Sequence, residues 1–257
     1  MQFVTLLNKK CEKNVFAFPP LYGFGLFYSK MAALISDCSF YSFDYISGKD
    51  KLAHYTGAIK SIQPDGPYML LGYSAGGRLA YEVAKELRRQ GDEVSGIIII
   101  DTVLESYQSN KSKYANLFNP TLDSDKTFVS KACSIIKIIC KTGIEFSIWF
   151  NRKMLFLVYY IKIFILLRKV FIKHVMDGKI YQYASFTSND IDYSSKIDVD
   201  IYLLKSPQTS TKCIEGWSRL TVGRYIEYAA YGNHVDMISS GYIEKNAKIL
   251  NEILDSA

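Results

Sequence analysis

Residues 72–76 read Gly-Tyr-Ser-Ala-Gly, and this G-x-S-x-G pattern constrains the fold more than any other stretch of the chain. The apolar run 68–71 before it predicts a β-strand, and residues 75–90 after it predict a helix that ends near Gly91. A strand that turns directly into a helix leaves room only for glycine on either side of the serine. The pattern therefore predicts a tight turn that exposes the hydroxyl of Ser74.

Strands and helices alternate on both sides of this turn. The predicted strands are residues 15–18, 40–45, 68–71, 94–100, 200–205 and 225–228. The predicted helices are residues 27–35, 52–62, 75–90 and 242–254. Residues 97–100 are four consecutive isoleucines, which is typical of a parallel strand covered by helices on both faces. The alternation predicts an α/β protein with a mostly parallel, doubly wound sheet.

The alternation stops between residues 106 and 195, where the sequence predicts polar loops and two apolar helical stretches, 128–140 and 144–175. We therefore expect an α/β-hydrolase fold. Its core would comprise residues 1–105 and 196–257, and residues 106–195 would form an inserted helical lid.

A serine needs a base to take its proton, and in this fold the chain order is serine, acid, histidine. His54 precedes Ser74 and lies in a predicted helix, and His174 ends a predicted lid helix. His234 follows the last predicted strand on a loop, which makes it the predicted base.

The acid must orient the imidazole and stabilise its charged form. Asp101 directly follows strand 94–100, at the sheet edge where the serine turn lies. The usual alternative is the loop after the next core strand, but residues 206–212 contain no carboxylate. Asp101 is therefore the predicted acid.

An oxyanion hole requires two backbone donors, one next to the serine and one from the loop after the first core strand. Residues 18–25 form that loop, and Pro19 and Pro20 within it lack N–H groups. The N–H groups of Leu21 and Ala75 are the predicted pair.

Composition excludes several other classes of protein. The five cysteines are widely spaced without a C-x-x-C pair, and the sequence has no metal-ligand cluster, nucleotide-binding loop or nucleic-acid recognition motif. The longest apolar stretch, residues 154–167, contains Lys162 and is shorter than the roughly 18 residues that a membrane span needs. We predict a cytoplasmic protein with reduced thiols, no metal and no cofactor of its own.

Together these motifs resemble the terminal thioesterase domains of nonribosomal peptide synthetases, in particular those that release cyclic lipopeptides such as surfactin and fengycin. The resemblance covers about residues 14–104 and 196–254. Its motifs are residues 16–20, 23–25, 72–77, 100–101 and 232–234, with Met237.

The resemblance implies a function and a partner. Ser74 would accept an acyl or peptidyl chain from the phosphopantetheine arm of an upstream carrier domain, with His234 as base and Asp101 as acid. The chain would then be released by macrocyclisation or by hydrolysis. Pro20, before the predicted oxyanion residue Leu21, is similar to the cyclising members and is a candidate substrate-binding residue.

The predicted lid is strongly basic. Residues 131–179 carry a net charge of +8, whereas the whole chain carries +6. Helical spacing places Lys162, Lys169 and Lys173 on one face. Three interpretations stay open: a solvated helix face, a substrate wall whose lysines bind an acidic carrier domain, and, less favoured, peripheral contact with a membrane.

Other functions fit parts of the pattern. A stand-alone type II thioesterase would hydrolyse stalled acyl-carrier thioesters, and a lipid esterase would use the apolar lid as an interfacial cap. A non-catalytic binding module with a hydrolase fold is the alternative outside enzymes. The complete set of Ser74, Asp101 and His234 argues against the last of these.

Overall fold

A seven-stranded sheet runs through the described part of the computed structural model, which is residues 3–104, 183, 196–209, 215–239 and 241–256. The strands are β1 (Val4–Leu6), β2 (Lys13–Phe18), β3 (Cys38–Phe43), β4 (Tyr68–Tyr73), β5 (Val94–Ile100), β6 (Asp200–Lys205) and β7 (Tyr225–Ala229). Their order in the sheet is β1-β3-β2-β4-β5-β6-β7. All neighbouring pairs are parallel except the edge strand β1, which is antiparallel to β3.

Helices cover both faces of this sheet. They are α1 (Ser29–Ala32), α2 (Lys51–Ile62), α3 (Ala75–Arg89) and α4 (Ile243–Ser256). Ile97 and Ile99 of β5 belong to a core that includes side chains of α2 and α3, whereas Ile98 and Ile100 belong to a second core with α1 and α4. Each fully buried isoleucine contributes about 1.5–3 kcal/mol of burial free energy. The predicted doubly wound sheet of an α/β-hydrolase fold is confirmed.

The sheet reverses its winding direction between β2 and β4. The chain leaves β2 for β3 on one side, whereas it leaves β4 for β5 on the other side. Phe18 pairs with Gly72, so the two strands end level with each other. Loops that diverge from adjacent parallel strands open a crevice at the carboxyl edge of the sheet. The loop that contains Leu21 and the turn that contains Ser74 both start at this crevice.

The predicted helix over residues 27–35 was wrong in extent. A 3₁₀ turn over Gly25–Tyr28 leads into the single turn of α1. The amides of Leu34 and Ile35 bond to carbonyls three residues back, at 2.9 and 3.2 Å, which tightens the chain after α1. The buried side chains nevertheless keep helical spacing, and this spacing produced the prediction. They are Tyr28, Met31, Ala32 and Ile35.

The sequence did not predict β1, and residues 15–18 were expected to contain the first strand. Val4–Leu6 is a three-residue edge strand that pairs with residues 41–43. Three residues are too few to show the alternation that identifies a strand. β1 is therefore identified only by its pairing with β3.

The described residues lie in one compact unit, Met1–Ser106 with Lys179–Ala257. The lid predicted over residues 106–195 lies outside the described residues except for Tyr183. Lys162, Lys169, Lys173 and His174 lie outside them as well. Within the described ranges, no helix is long and apolar enough to cross a bilayer.

Candidate active site

Ser74 occupies the turn between β4 and α3. Its backbone has φ 55° and ψ −123°, a conformation that non-glycine residues rarely adopt. Such strain persists only where the surrounding structure enforces it, and it is concentrated at functional sites. The predicted tight turn is present, and it presents Ser74 as a half-buried residue at the start of α3.

Close backbone contacts explain the glycines around Ser74. A Cβ atom on Gly72 would lie 2.1 Å from the carbonyl oxygen of Gly76, and a Cβ atom on Gly76 would lie 2.3 Å from that of Phe18. Gly77 is equally restricted, because a Cβ atom there would lie 2.1 Å from Oγ1 of Thr102. The G-x-S-x-G pattern predicted the first two restrictions but not the third.

The structure brings Ser74, His234 and Asp101 together, although they are far apart in the sequence. Nε2 of His234 lies 3.1 Å from Oγ of Ser74, and Nδ1 lies 2.7 Å from Oδ2 of Asp101. The Asp101 side chain is fully buried, whereas that of His234 is 45% exposed. The imidazole can therefore take a proton from Ser74 while the carboxylate holds its other nitrogen.

Asp101 has two further hydrogen-bond donors, both from the loop after β6. The N–H of Ser206 donates to Oδ1 at 2.9 Å, and Oγ1 of Thr209 donates to Oδ2 at 3.0 Å. Burial alone would raise the pKa of the Asp101 carboxyl, but the bonds from His234, Ser206 and Thr209 outweigh it and hold that pKa below its ordinary value. This loop, which lacks a carboxylate, supplies donors to the predicted acid, and these donors were not predicted from the sequence.

Tyr73, the residue before Ser74, supports His234. Its ring stacks on the imidazole with centroids 5.1 Å apart and planes 19° apart, and its hydroxyl donates to the backbone carbonyl of His234. Phe27 stacks on Tyr73 at 5.3 Å. Asn233 shapes the same loop, because its Oδ1 accepts the N–H groups of Val235 and of the following residue at 2.9 and 3.0 Å. These supporting residues were not predicted from the sequence.

The predicted oxyanion donors lie at the crevice between β2 and β4. Ala75 is the first residue of α3, so its N–H has no acceptor within the helix. Leu21 lies in a turn closed by the N–H of Gly23, which donates to the carbonyl of Pro20 at 2.8 Å. Pro20 is buried. Among the described residues, the N–H of Leu21 has no hydrogen-bond acceptor, so this donor is available to a ligand.

The remaining candidates fall outside this site. His54 lies in α2, as predicted, and its side chain is exposed. In the part of the chain that the structure describes, no group of three or more metal-ligating side chains occurs.

Comparisons with known proteins agree with this architecture. The family model of the thioesterase domain matches residues 13–124. A solved structure that explains the cyclization of the lipopeptide antibiotic surfactin by the thioesterase domain SrfTE is 28% identical, with a TM-score of 0.70. The match covers 98% of this chain and 96% of that domain.

Two curated relatives are much longer synthase proteins. Surfactin synthase subunit 3 of Bacillus subtilis (strain 168) is 30% identical over 257 residues, which cover 100% of this chain. Tyrocidine synthase 3 of Brevibacillus parabrevis is 30% identical over 97% of this chain. The chain spans only 18% of the length of the first relative and 4% of the second. Residues 13–124 of this chain therefore match the thioesterase domain family, and the fold is that of a serine-hydrolase-type enzyme.

Proposed function

We propose that this protein releases an acyl or peptidyl chain from a phosphopantetheinyl carrier domain through an acyl-enzyme on Ser74. The observation that supports this most directly is the position of His234, between Oγ of Ser74 at 3.1 Å and Oδ2 of Asp101 at 2.7 Å. In this proposal the three residues act as a catalytic triad.

The first half-reaction transfers the chain to the enzyme. Oγ of Ser74 attacks the thioester carbonyl while Nε2 of His234 takes the hydroxyl proton. The carbonyl oxygen becomes an oxyanion, which the N–H groups of Leu21 and Ala75 stabilise. When the carbon–sulfur bond breaks, His234 gives its proton to the departing pantetheine thiol, and the chain remains as an ester on Ser74. The buried carboxylate of Asp101 stabilises the imidazolium throughout.

The second half-reaction releases the chain. His234 takes a proton from the second nucleophile, which attacks the ester carbonyl, and then returns the proton to Oγ of Ser74. A hydroxyl or amine of the bound chain gives a macrocycle, whereas water gives the linear acid. Macrocyclisation is the favoured outcome, because the solved relative SrfTE cyclizes a lipopeptide.

The proposed partner is an upstream peptidyl or acyl carrier domain. The curated relatives are much longer synthetase subunits, so a thioesterase region of this kind occurs with other domains in those proteins. The phosphopantetheine arm belongs to the carrier and arrives with the substrate. Acid, base and oxyanion donors all come from this chain, so the proposed chemistry needs no further cofactor.

Intact-protein mass spectrometry tests the proposal. The wild-type protein and Ser74→Ala are mixed with fatty-acyl and peptidyl thioesters of a pantetheine mimic, and the released product is weighed. We expect an acyl adduct on the wild type and none on Ser74→Ala. Ser61→Ala is the matched control, because this exposed serine on α2 bonds only to a carbonyl of its own helix, and it should form the adduct normally.

The mass of the product separates the candidate functions. A product one water lighter than the linear acid establishes cyclisation, whereas the acid alone favours hydrolysis by an editing enzyme. A folded wild type that neither forms an adduct nor turns over any thioester would contradict the proposal and favour an esterase or a non-catalytic module.

A further inference from the structure

Two buried tyrosine hydroxyls hold consecutive carbonyls of the loop after β2. The hydroxyl of Tyr28 donates to the carbonyl of Phe18 at 2.6 Å, and that of Tyr183 donates to the carbonyl of Pro19 at 2.6 Å. Tyr28 is 1% exposed and Tyr183 is 0% exposed. Burial raises the pKa of both hydroxyls well above the ordinary value, so each keeps its proton and remains a donor.

Tyr28 also contacts the strand that carries the nucleophile. Its hydroxyl oxygen accepts the N–H of Tyr73, the residue before Ser74, at 2.9 Å. One hydroxyl therefore joins the end of β4 to the loop that leads to Leu21. The two segments are already close, because a Cβ atom on Gly76 would lie 2.3 Å from the carbonyl oxygen of Phe18.

The first part of the loop, at Pro19 and Pro20, cannot be held in place by its own amides. Pro19 and Pro20 have no N–H groups, and the turn that follows uses the carbonyl of Pro20. The carbonyls of Phe18 and Pro19 must find donors elsewhere, because buried carbonyls are rarely left unpaired. Their donors come from Tyr28 and Tyr183. A shift of this loop would displace the N–H of Leu21 relative to that of Ala75.

We propose that Tyr28 is a positioning residue for the oxyanion hole, and that its hydroxyl sets the spacing between the donors on Leu21 and Ala75 while Tyr183 holds the next carbonyl. The inference rests on the proposed function, since it requires that Ser74 attacks a carbonyl whose oxygen enters this hole. A displacement of about 1 Å in a catalytic group can reduce a rate by up to about 100-fold, so the loss of one hydroxyl is expected to be measurable.

The test compares Tyr28→Phe with Tyr68→Phe. Tyr68 is also fully buried, and its hydroxyl donates to the carbonyl of Pro64 at 3.1 Å, at the opposite edge of the sheet. Two rates are measured: turnover of a small acyl thioester, and covalent labelling of Ser74 by an alkyl fluorophosphonate. Labelling forms a tetrahedral phosphorus centre whose oxygen needs the same hole, but it needs no thioester.

We expect Tyr28→Phe to reduce both kcat and the labelling rate about tenfold, with KM changed less than about twofold. Tyr68→Phe should stay within about twofold of wild type in both rates. Equal labelling of the two variants, or a rise in KM with unchanged kcat, would overturn the inference. A wild type that is labelled but turns over no thioester would reject only the proposed function, since the labelling rates still test Tyr28.

Circular dichroism and thermal unfolding establish that each variant is folded. Tyr28→Phe leaves a buried N–H unpaired, so Tyr183→Phe serves as a second variant that removes the bond to the Pro19 carbonyl alone. Slower labelling of Tyr183→Phe would support the inference even if Tyr28→Phe does not fold. If Tyr28→Phe does not fold and Tyr183→Phe is labelled at the wild-type rate, the inference is overturned.

Discussion

The two edges of the parallel sheet differ in backbone conformation. At the carboxyl edge, Ser74 and Asp101 have φ values of 55° and 48°, and they are the non-glycine residues with positive φ within the described ranges. At the amino edge, a cavity of about 380 Å³ is lined by residues without a positive φ, among them Asn14 and Gln63, whose side chains bond to each other at 3.1 Å. Among the described residues, non-glycine positions with positive φ therefore lie at the edge that carries the candidate site.

Two aspartates, one at each edge of the sheet, allow the two edges to be compared directly. Asp101 directly follows β5 at the carboxyl edge, and Asp200 begins β6 at the amino edge. Burial would raise the pKa of each carboxyl, but hydrogen bonds outweigh this effect, and both pKa values lie below the ordinary value. At Asp101 these bonds come from His234 and the loop after β6, whereas at Asp200 they come from Arg224. The perturbed pKa alone thus does not distinguish the functional carboxylate. The distinction is geometric, because only Asp101 faces a histidine that reaches a serine.

The largest difference between the edges is expected for Asp101→Asn. An amide in this position favours the wrong imidazole tautomer and cannot stabilise the imidazolium, so kcat with an acyl thioester should fall about 10⁴-fold, or about 5.5 kcal/mol. Asp200→Asn is the matched control, and its kcat with the same thioester should stay within about twofold of the wild-type value. A loss of kcat of less than about tenfold in Asp101→Asn would contradict the role of Asp101 as the acid of the triad.

The second effect is on stability at the serine turn. Gly76→Ala places a Cβ atom 2.3 Å from the backbone carbonyl oxygen of Phe18, and neither atom can move without a shift of the backbone that carries it. We expect the free energy of unfolding, measured by urea denaturation, to fall by about 3 kcal/mol. In Gly57→Ala, in the middle of α2, the new Cβ atom meets nothing within 4 Å. That variant should gain up to about 1 kcal/mol from helix propensity, and equal effects would contradict the close contact at Gly76.

A smaller effect is expected for Thr209→Val. This change removes the hydroxyl that donates to Oδ2 of Asp101 at 3.0 Å while keeping the shape of the side chain. A hydrogen bond to a charged group contributes about 1.5–3 kcal/mol, so kcat should fall about tenfold as Asp101 loses part of its support. Thr209→Ser retains the hydroxyl and should be close to wild type. Wild-type kcat in Thr209→Val would show that the bonds from His234 and Ser206 suffice.

The smallest effect is expected for the stability of Asp200→Asn. Arg224 donates to Oδ2 of Asp200 at 2.6 Å, but its side chain is 66% exposed, so solvent screens the pair and it contributes little to the free energy of unfolding at pH 7. Because the folded-state pKa of Asp200 lies below its unfolded value, this stabilisation is present at neutral pH and lost as the pH falls through the folded pKa. Urea denaturation of both proteins at pH 7 and pH 3 measures it, and a difference that grows on acidification would contradict this sign.

Sequence reasoning reached the principal residues of the site because each belongs to a pattern with a local cause. Gly72 and Gly76 flank Ser74, Asp101 follows an apolar strand, and His234 follows the last strand of the core. Each pattern implied a position at the carboxyl edge, and the structure places all three side chains there within hydrogen-bond distance. Their catalytic roles stay predictions until the serine adduct is measured.

The supporting residues left no comparable signal. Thr209 is 108 residues from Asp101, and Tyr28 is 45 residues from Tyr73, whose N–H it accepts. A threonine in a polar loop and a tyrosine on an apolar helical face look ordinary, and burial explains such a tyrosine without a hydrogen bond. The edge strand β1 was missed for a related reason, since its pairing with β3 determines it more than its own three residues do.

The sequence by itself determined the class of fold, the strained turn at Ser74 and the chain order of serine, acid and histidine. These follow from local sterics and from the hydrophobic pattern, which act within a few residues. Only the tertiary structure decided how the Asp101 carboxylate is satisfied, how Tyr73 supports His234, and how Tyr28 joins the nucleophile strand to the oxyanion loop. Those contacts depend on ångström-scale packing between segments that are remote in the chain, and no local pattern encodes such distances.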